Sequence, residues 1–245
     1  MPWMRNAVHA ATLLLAALLV SIGAFSARAD EPAANGTAVH RSDVQECLFP
    51  VTPERRVKGC SAALEEQRLS SADAAFLRYD RGLAELDMRA VDAAGADLDA
   101  ALGLRPELWP ARWVRADLRL GRRDYAGAAD DWSEVIRQLP EMEQPYVWRA
   151  IAYDDAGRGQ EALAEFDVAA LRAGAQGLSA EDLEERAATF EGLHRYDRAM
   201  ADLSEAIRKD DHSFQAYAAR GRVAFLTGND DAALADFRKA ADLHP

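Results

Sequence analysis

Residues 183–206 read LEERAATFEGLHRYDRAMADLSEA, and residues 217–240 read YAARGRVAFLTGNDDAALADFRKA. Laid one above the other at an offset of 34, they share a plan. Arginine stands fourth, a small residue fifth, alanine seventeenth, an acid twentieth and a bulky apolar residue twenty-first. A fixed period of about 20–50 residues is the sequence signature of a chain built by stacking one supersecondary unit.

Working outward from these strings, the alanine recurs as Ala94, Ala128, Ala162, Ala199 and Ala233, at intervals of 34, 34, 37 and 34 residues. Four residues after each stands Leu98, Trp132, Phe166, Leu203 or Phe237, and seven after stands Ala101, Val135, Ala169, Ala206 or Ala240. This is the spacing of one helical face. Twelve residues after the alanine come Pro106, Pro140, Gly174, Asp211 and Pro245, where a helix is expected to stop. Twelve before it come Gly82, Ala116, Ala150, Ala187 and Gly221, which let a preceding helix approach closely. Arg89, Arg123, Gly157, His194 and Gly228 fall between the two helices, at the turn.

The pattern over residues 75–245 resembles the tetratricopeptide repeat, whose period is about 34 residues and whose small and bulky positions fall where these do. The aromatic that the family places near the end of the turn is kept as Tyr125 and Tyr196 but is Val91, Gly159 and Asp230 elsewhere; the early large residue of the first helix is kept best as Tyr146 and Tyr217. The resemblance implies an all-α fold, a right-handed superhelical solenoid of antiparallel helix pairs, with repeats at 75–107, 108–141, 142–178, 179–212 and 213–245. The longer interval is expected to form an extended inter-repeat loop over Ala173 to Ala180. A step of 34 back from Ala94 lands on Cys60, with Leu64 four residues on, so residues 42–74 are expected to form a degenerate first hairpin.

Before that hairpin, residues 1–29 have the form of a signal peptide: Arg5, an apolar-to-small run from Ala10 to Phe25, and the Ala27-Arg28-Ala29 cleavage pattern. Cleavage would leave a flexible segment over 30–41 and send the protein to the periplasm or beyond. The alternative is an uncleaved inner-membrane anchor, because a run interrupted by Thr12, Ser21 and Gly23 is marginal against the ~20 residues of a span. The segment holds two arginines and no acid, so its removal moves the formal net charge from −12 to −14. That acidity argues against nucleic acid and against an anionic membrane surface. In an exported chain, Cys47 and Cys60 are expected to form a disulfide; the alternatives, a metal site or a redox dithiol, lack a completing ligand set or a Cys-x-x-Cys spacing.

Two charge columns keep the repeat register. Thirteen residues before each alanine stand Arg81, Arg115, Arg149, Arg186 and Arg220; three after stand Asp97, Asp131, Glu165, Asp202 and Asp236. A ladder of Arg–carboxylate contacts that fixes orientation is expected, with a repeated ligand-binding row as the alternative.

The resemblance further implies a concave groove lined by the first helices, and its positions fall on Tyr79, Leu83, Leu86, Trp113, Asp117, Leu120, Val147, Ile151, Asp154, Glu184, Glu191, Arg222 and Phe225. This set is apolar first and acidic in the middle, and does not hold the Lys, Asn and Arg combination of the family's carboxylate clamp. Tyr79 and Trp113 are anchors in one reading and inter-repeat packing in the other. Asp117, Asp154, Asp155, Glu184 and Glu191 point to a basic or apolar extended segment as partner.

Catalytic constellations are missing from the sequence. His40, His194, His212 and His244 are scattered, Asp154-Asp155 and Asp210-Asp211 read as helix ends, and no phosphate loop, nucleophile elbow or zinc-protease signature appears. No enzyme activity, cofactor or metal is expected. The function that remains is a periplasmic protein-interaction scaffold. Its alternatives are a small-molecule or oligosaccharide carrier, which would need a closed aromatic pocket, and a structural oligomer joined through apolar surface on the repeat that ends at Pro245.

Overall fold

The computed structural model describes residues 46, 47, 52–65 and 69–244. The expected signal segment, the 30–41 segment, His40 and Pro245 lie outside the described residues. Those residues contain α-helices and no strand. No helix among them is long and apolar enough to cross a membrane.

The described residues divide into two compact units, one up to Asp124 and one from Tyr125 onward. The boundary falls inside the second registered repeat. In the first unit α1 (Pro53–Leu64), α2 (Ser71–Asp87), α3 (Val91–Leu104) and α4 (Trp109–Gly121) pack each against the next. Ser70 caps α2 by accepting the Asp73 amide at 3.1 Å, and Pro53 and Pro110 stand at helix starts, where a missing N–H costs nothing. Cys47 and Cys60 are bonded, with Cα atoms 4.6 Å apart, in a small core with Ala63 and Leu77. The crosslink closes a short loop, which restricts the unfolded chain.

The second unit contains α5 (Tyr125–Gln138), α6 (Gln144–Asp155), α7 (Gly159–Ala173), α8 (Ala180–Gly192), α9 (Tyr196–Lys209), α10 (Phe214–Leu226) and α11 (Asp230–Leu243), each packed on its successor. The first helices α6, α8 and α10 also touch in succession. The stretch expected as a loop holds a 3₁₀ turn, Gly174–Gln176, flanked by positive φ at Gly174 and Gly177. Ser179 and Asp182 then open α8 with a reciprocal capping box.

The spacing of small residue and alanine has a direct packing cause. A Cβ on Gly82 would lie 3.4 Å from the Ala94 carbonyl oxygen, and one on Gly221 would lie 3.2 Å from that of Ala233 and 3.0 Å from the Phe237 ring. The backbone of each of these first helices therefore passes close to the alanine of its partner.

The five turn residues all adopt positive φ: Arg89 60°, Arg123 63°, Gly157 75°, His194 55° and Gly228 78°. Each closes its helix with a paired hydrogen-bond motif. At the first, the Arg89 amide donates to Leu86 O at 2.9 Å and the Ala90 amide to Glu85 O at 2.8 Å. At the fourth, the His194 amide donates to Glu191 O at 2.9 Å and the Arg195 amide to Phe190 O at 2.8 Å. An L side chain in this region costs about 1 kcal/mol relative to glycine. Arg89→Gly and Arg123→Gly are each expected to raise the unfolding free energy by about 0.5–1 kcal/mol in urea titrations.

The core follows the register. Leu98, Trp132 and Phe166 are 0% exposed, and Leu203 is 1% exposed. The register equivalent in α11, Phe237, is 41% exposed.

Candidate functional site

The arginine column makes two sets of contacts. Within their own hairpins, Arg81 grips Asp97 at 2.5 and 2.7 Å, Arg186 grips Asp202 at 2.7 and 2.8 Å, and Arg220 grips Asp236 at 2.8 and 2.8 Å. Arg149 donates one Nη to both oxygens of Glu165, at 2.8 and 2.7 Å. The acids are almost buried, with Asp97 4% and Asp202 and Asp236 8% exposed, so planar two-point pairing offsets their desolvation. Asp131 is 1% exposed in the second unit.

The same column also reaches back one hairpin. Arg115 donates to Asp99 at 2.7 Å, Arg149 to Ser133 Oγ at 2.9 Å and Arg220 to Ser204 Oγ at 3.4 Å, while Arg186 lies 3.9 Å from Asp167. These partners all stand five residues after the register alanine. Sequence reasoning passed over this column, although its short polar residues at fixed spacing were the available signal. Arg149, Arg186 and Arg220 thus each bolt a hairpin closed and tie it to the one before.

The expected groove positions sort by burial. Tyr79, Trp113 and Val147 are only 2, 5 and 1% exposed, and Trp113 meets Trp109 edge-on at 6.3 Å between ring centroids. They pack within the chain and offer little surface as anchors. Leu86 and Leu120, at matching first-helix positions, and Leu83 remain part-exposed in the first unit. Ile151, Asp154, Glu184 and Glu191 are part-exposed in the second unit, with Arg222 and Phe225 exposed.

The first unit buries polar groups without partners. Oδ2 of Asp117 and the Tyr79 hydroxyl have no hydrogen-bond partner among the described residues. Burial pushes the Asp117 carboxyl up to about 8 and the Tyr79 phenol above its ordinary value, the latter also through the Asp80 charge. Burial raises Asp80 to about 7, with the Arg56 charge opposing. Composition and spacing gave no sign of these enclosed acids, because enclosure depends on neighbours that the helical period does not specify.

The second unit gathers acids on α6 and α8. Burial raises Asp154, Glu184 and Glu185, and the carboxylates push one another further up: Asp155 acts on Asp154, Glu181 and Asp210 on Glu184, and Glu184 and Asp155 on Glu185. Acids of this face also meet local partners, and a Thr189 side-chain hydrogen bond opposes the rise at Asp154. Glu184 accepts from Ser213 Oγ at 2.7 Å, and Glu191 takes a two-point grip from Arg222 at 2.8 Å.

The described histidines are engaged separately. His194 Nδ1 lies 2.8 Å from the Tyr196 hydroxyl, His212 pairs with Asp211 at 2.6 Å, and the His244 ring lies 4.5 Å from that of Phe214. Asp210, Asp211 and His212 bring ligand atoms within 4.8 Å of one another, all of them solvent-exposed. An open cleft of about 720 Å³, lined by Leu163, Asp167, Phe190, His194 and Tyr196 among others, mixes apolar and charged groups. It lacks the enclosure a hydrophobic carrier site requires.

No family model matches the sequence, and no curated protein matches it. Solved structures do match in fold. PilW, titled a widely conserved type IV pilus biogenesis factor, aligns with a TM-score of 0.62 at 16% identity, covering 69% of this chain and 77% of its own. YrrB, titled a TPR protein with an unusual peptide-binding site, aligns at 0.59 with 17% identity, covering 77% of this chain and 94% of its own. TTC0263, a thermophilic TPR protein in Thermus thermophilus, aligns at 0.55 with 21% identity, covering 70% and 92%. The consecutive helix pairs, the registered small and bulky positions and these alignments agree, and the chain has the tetratricopeptide-repeat fold.

Proposed function

We propose that the chain is an exported, non-enzymatic scaffold that binds an extended protein segment on the face formed by the first helices α6, α8 and α10. The observation that carries this reading is the side-by-side packing of α6, α8 and α10, which sets Asp154 and Glu191 at the same register position of neighbouring helices, with Ile151 and Glu184 also part-exposed on α6 and α8. Carboxylates that raise one another lower their mutual repulsion when a cation arrives, so this face favours a basic segment. In the first unit, Leu83, Leu86 and Leu120 give the same helix positions an apolar character. YrrB, of the same fold, is described as having a peptide-binding site, which is compatible with such a use. The signal-like residues 1–29 and the bonded cysteines support a periplasmic location.

Affinity capture from an envelope extract tests the reading, with wild type compared against Leu83→Glu/Leu120→Glu and Glu184→Lys/Asp154→Lys variants. A bound protein retained by wild type and lost from the lysine variant, with retention falling as salt rises, is the expected outcome. Equal retention by all three proteins would rule out this face.

A further inference from the structure

The α11 helix carries a stripe that the rest of the chain identifies by register. Leu234, Phe237 and Arg238 lie at i, i+3 and i+4, on one helical side. Phe237 is 41% exposed where its four equivalents are at most 1%, and Leu234 is 48% exposed where its equivalent Leu163 is 7%. In the α6–α7 and α8–α9 hairpins, the second helix packs against the first helix of the next hairpin, α8 on α7 and α10 on α9. The stripe therefore has the form of a seat for one more helix.

The charge at that seat is inverted. Asp99, Ser133, Asp167 and Ser204 hold the position five residues after the alanine, and each faces the arginine of the following first helix. In α11 the same position is Arg238, exposed and followed by Lys239. A helix seated there in the manner of the interior helices, and carrying the chain's own arginine, would set two guanidinium groups together. All five first helices carry that arginine, so a second copy docking through any of them meets this repulsion.

We propose that the Leu234–Phe237–Arg238 stripe is a docking surface for an amphipathic helix of another protein, one that presents a carboxylate where this chain's first helices present arginine. The apolar pair supplies contact area, and Arg238 selects the acid through a charge-assisted hydrogen bond while rejecting a basic helix. This surface is separate from the first-helix face, so each can fail without the other.

The test is selection of a displayed library of amphipathic helices, with Asp, Glu, Lys and Arg allowed at each polar position, against the purified chain. Wild type is expected to enrich helices with Asp or Glu at one fixed distance from the apolar stripe. Arg238→Glu is expected to turn that preference to Lys or Arg, by about tenfold in affinity for matched peptides measured by fluorescence anisotropy. Leu234→Asp and Phe237→Ser, both at exposed positions, should lose these helices, whereas Leu83→Glu should keep them. The proposal is overturned if no acidic preference emerges, if Arg238→Glu selects the same helices, or if light scattering shows a dimer of wild type that Leu234→Asp dissolves.

Discussion

Asp117→Asn is expected to raise the unfolding free energy by about 2–5 kcal/mol at pH 8.5 and to change it little at pH 4. The Asp117 carboxyl is raised to about 8 in the fold by burial, against an ordinary value of 3.8. Between those values the folded state holds a proton that the unfolded chain has released. Stability is therefore least penalised below pH 4 and declines as pH rises towards 8. An asparagine amide keeps the shape and cannot ionise, so the decline should shrink in the variant. Asp80, raised to about 7, contributes in the same sense and leaves a residual slope. Urea unfolding at several pH values measures the difference between the two proteins directly. Parallel pH curves for wild type and variant would show that the Asp117 carboxyl is hydrated in the fold.

Phe166→Ala is expected to cost about 3–5 kcal/mol, because the ring is 0% exposed in a core with Tyr146, Val147, Leu178 and Leu183 and its removal leaves a cavity. Phe237→Ala, the same substitution in the same register, is expected to cost about 1 kcal/mol, because the ring is 41% exposed. The two midpoints in denaturant should separate clearly. Equal losses would mean that the α11 ring is as enclosed as the others, and that the stripe is not free to receive a helix.

The fold was legible in the sequence because each repeat spells its own constraints. Gly82 and Gly221 mark where two backbones converge, and Arg89, Arg123, Gly157, His194 and Gly228 mark where the chain enters the left-handed region. Three of these turns use an arginine or a histidine, so the position within the period identified them where residue type alone pointed elsewhere. The candidate site was less legible. Tyr79 and Trp113 stand at groove positions by register yet are buried, since a helical period specifies a direction and leaves open how far neighbouring side chains cover it. The acid column was visible as one partner set for arginine; its second partner set, Asp99, Ser133, Asp167 and Ser204, changes chemistry from repeat to repeat and is recognised only when the guanidinium groups are seen reaching it. The enclosed Oδ2 of Asp117 could not be foreseen, because enclosure of a single carboxyl leaves no trace in spacing.

Site-directed photocrosslinking in intact cells tests the central claim most directly. A photoreactive residue at Ile151, Asp154 or Glu184, on the first-helix face, is compared with one at Leu171, which is 81% exposed on the second helix α7. A discrete protein adduct from the first three positions and none from Leu171 is the predicted result. Adducts from Leu171 alone, or the same adducts from all four positions, would contradict binding on the first-helix face.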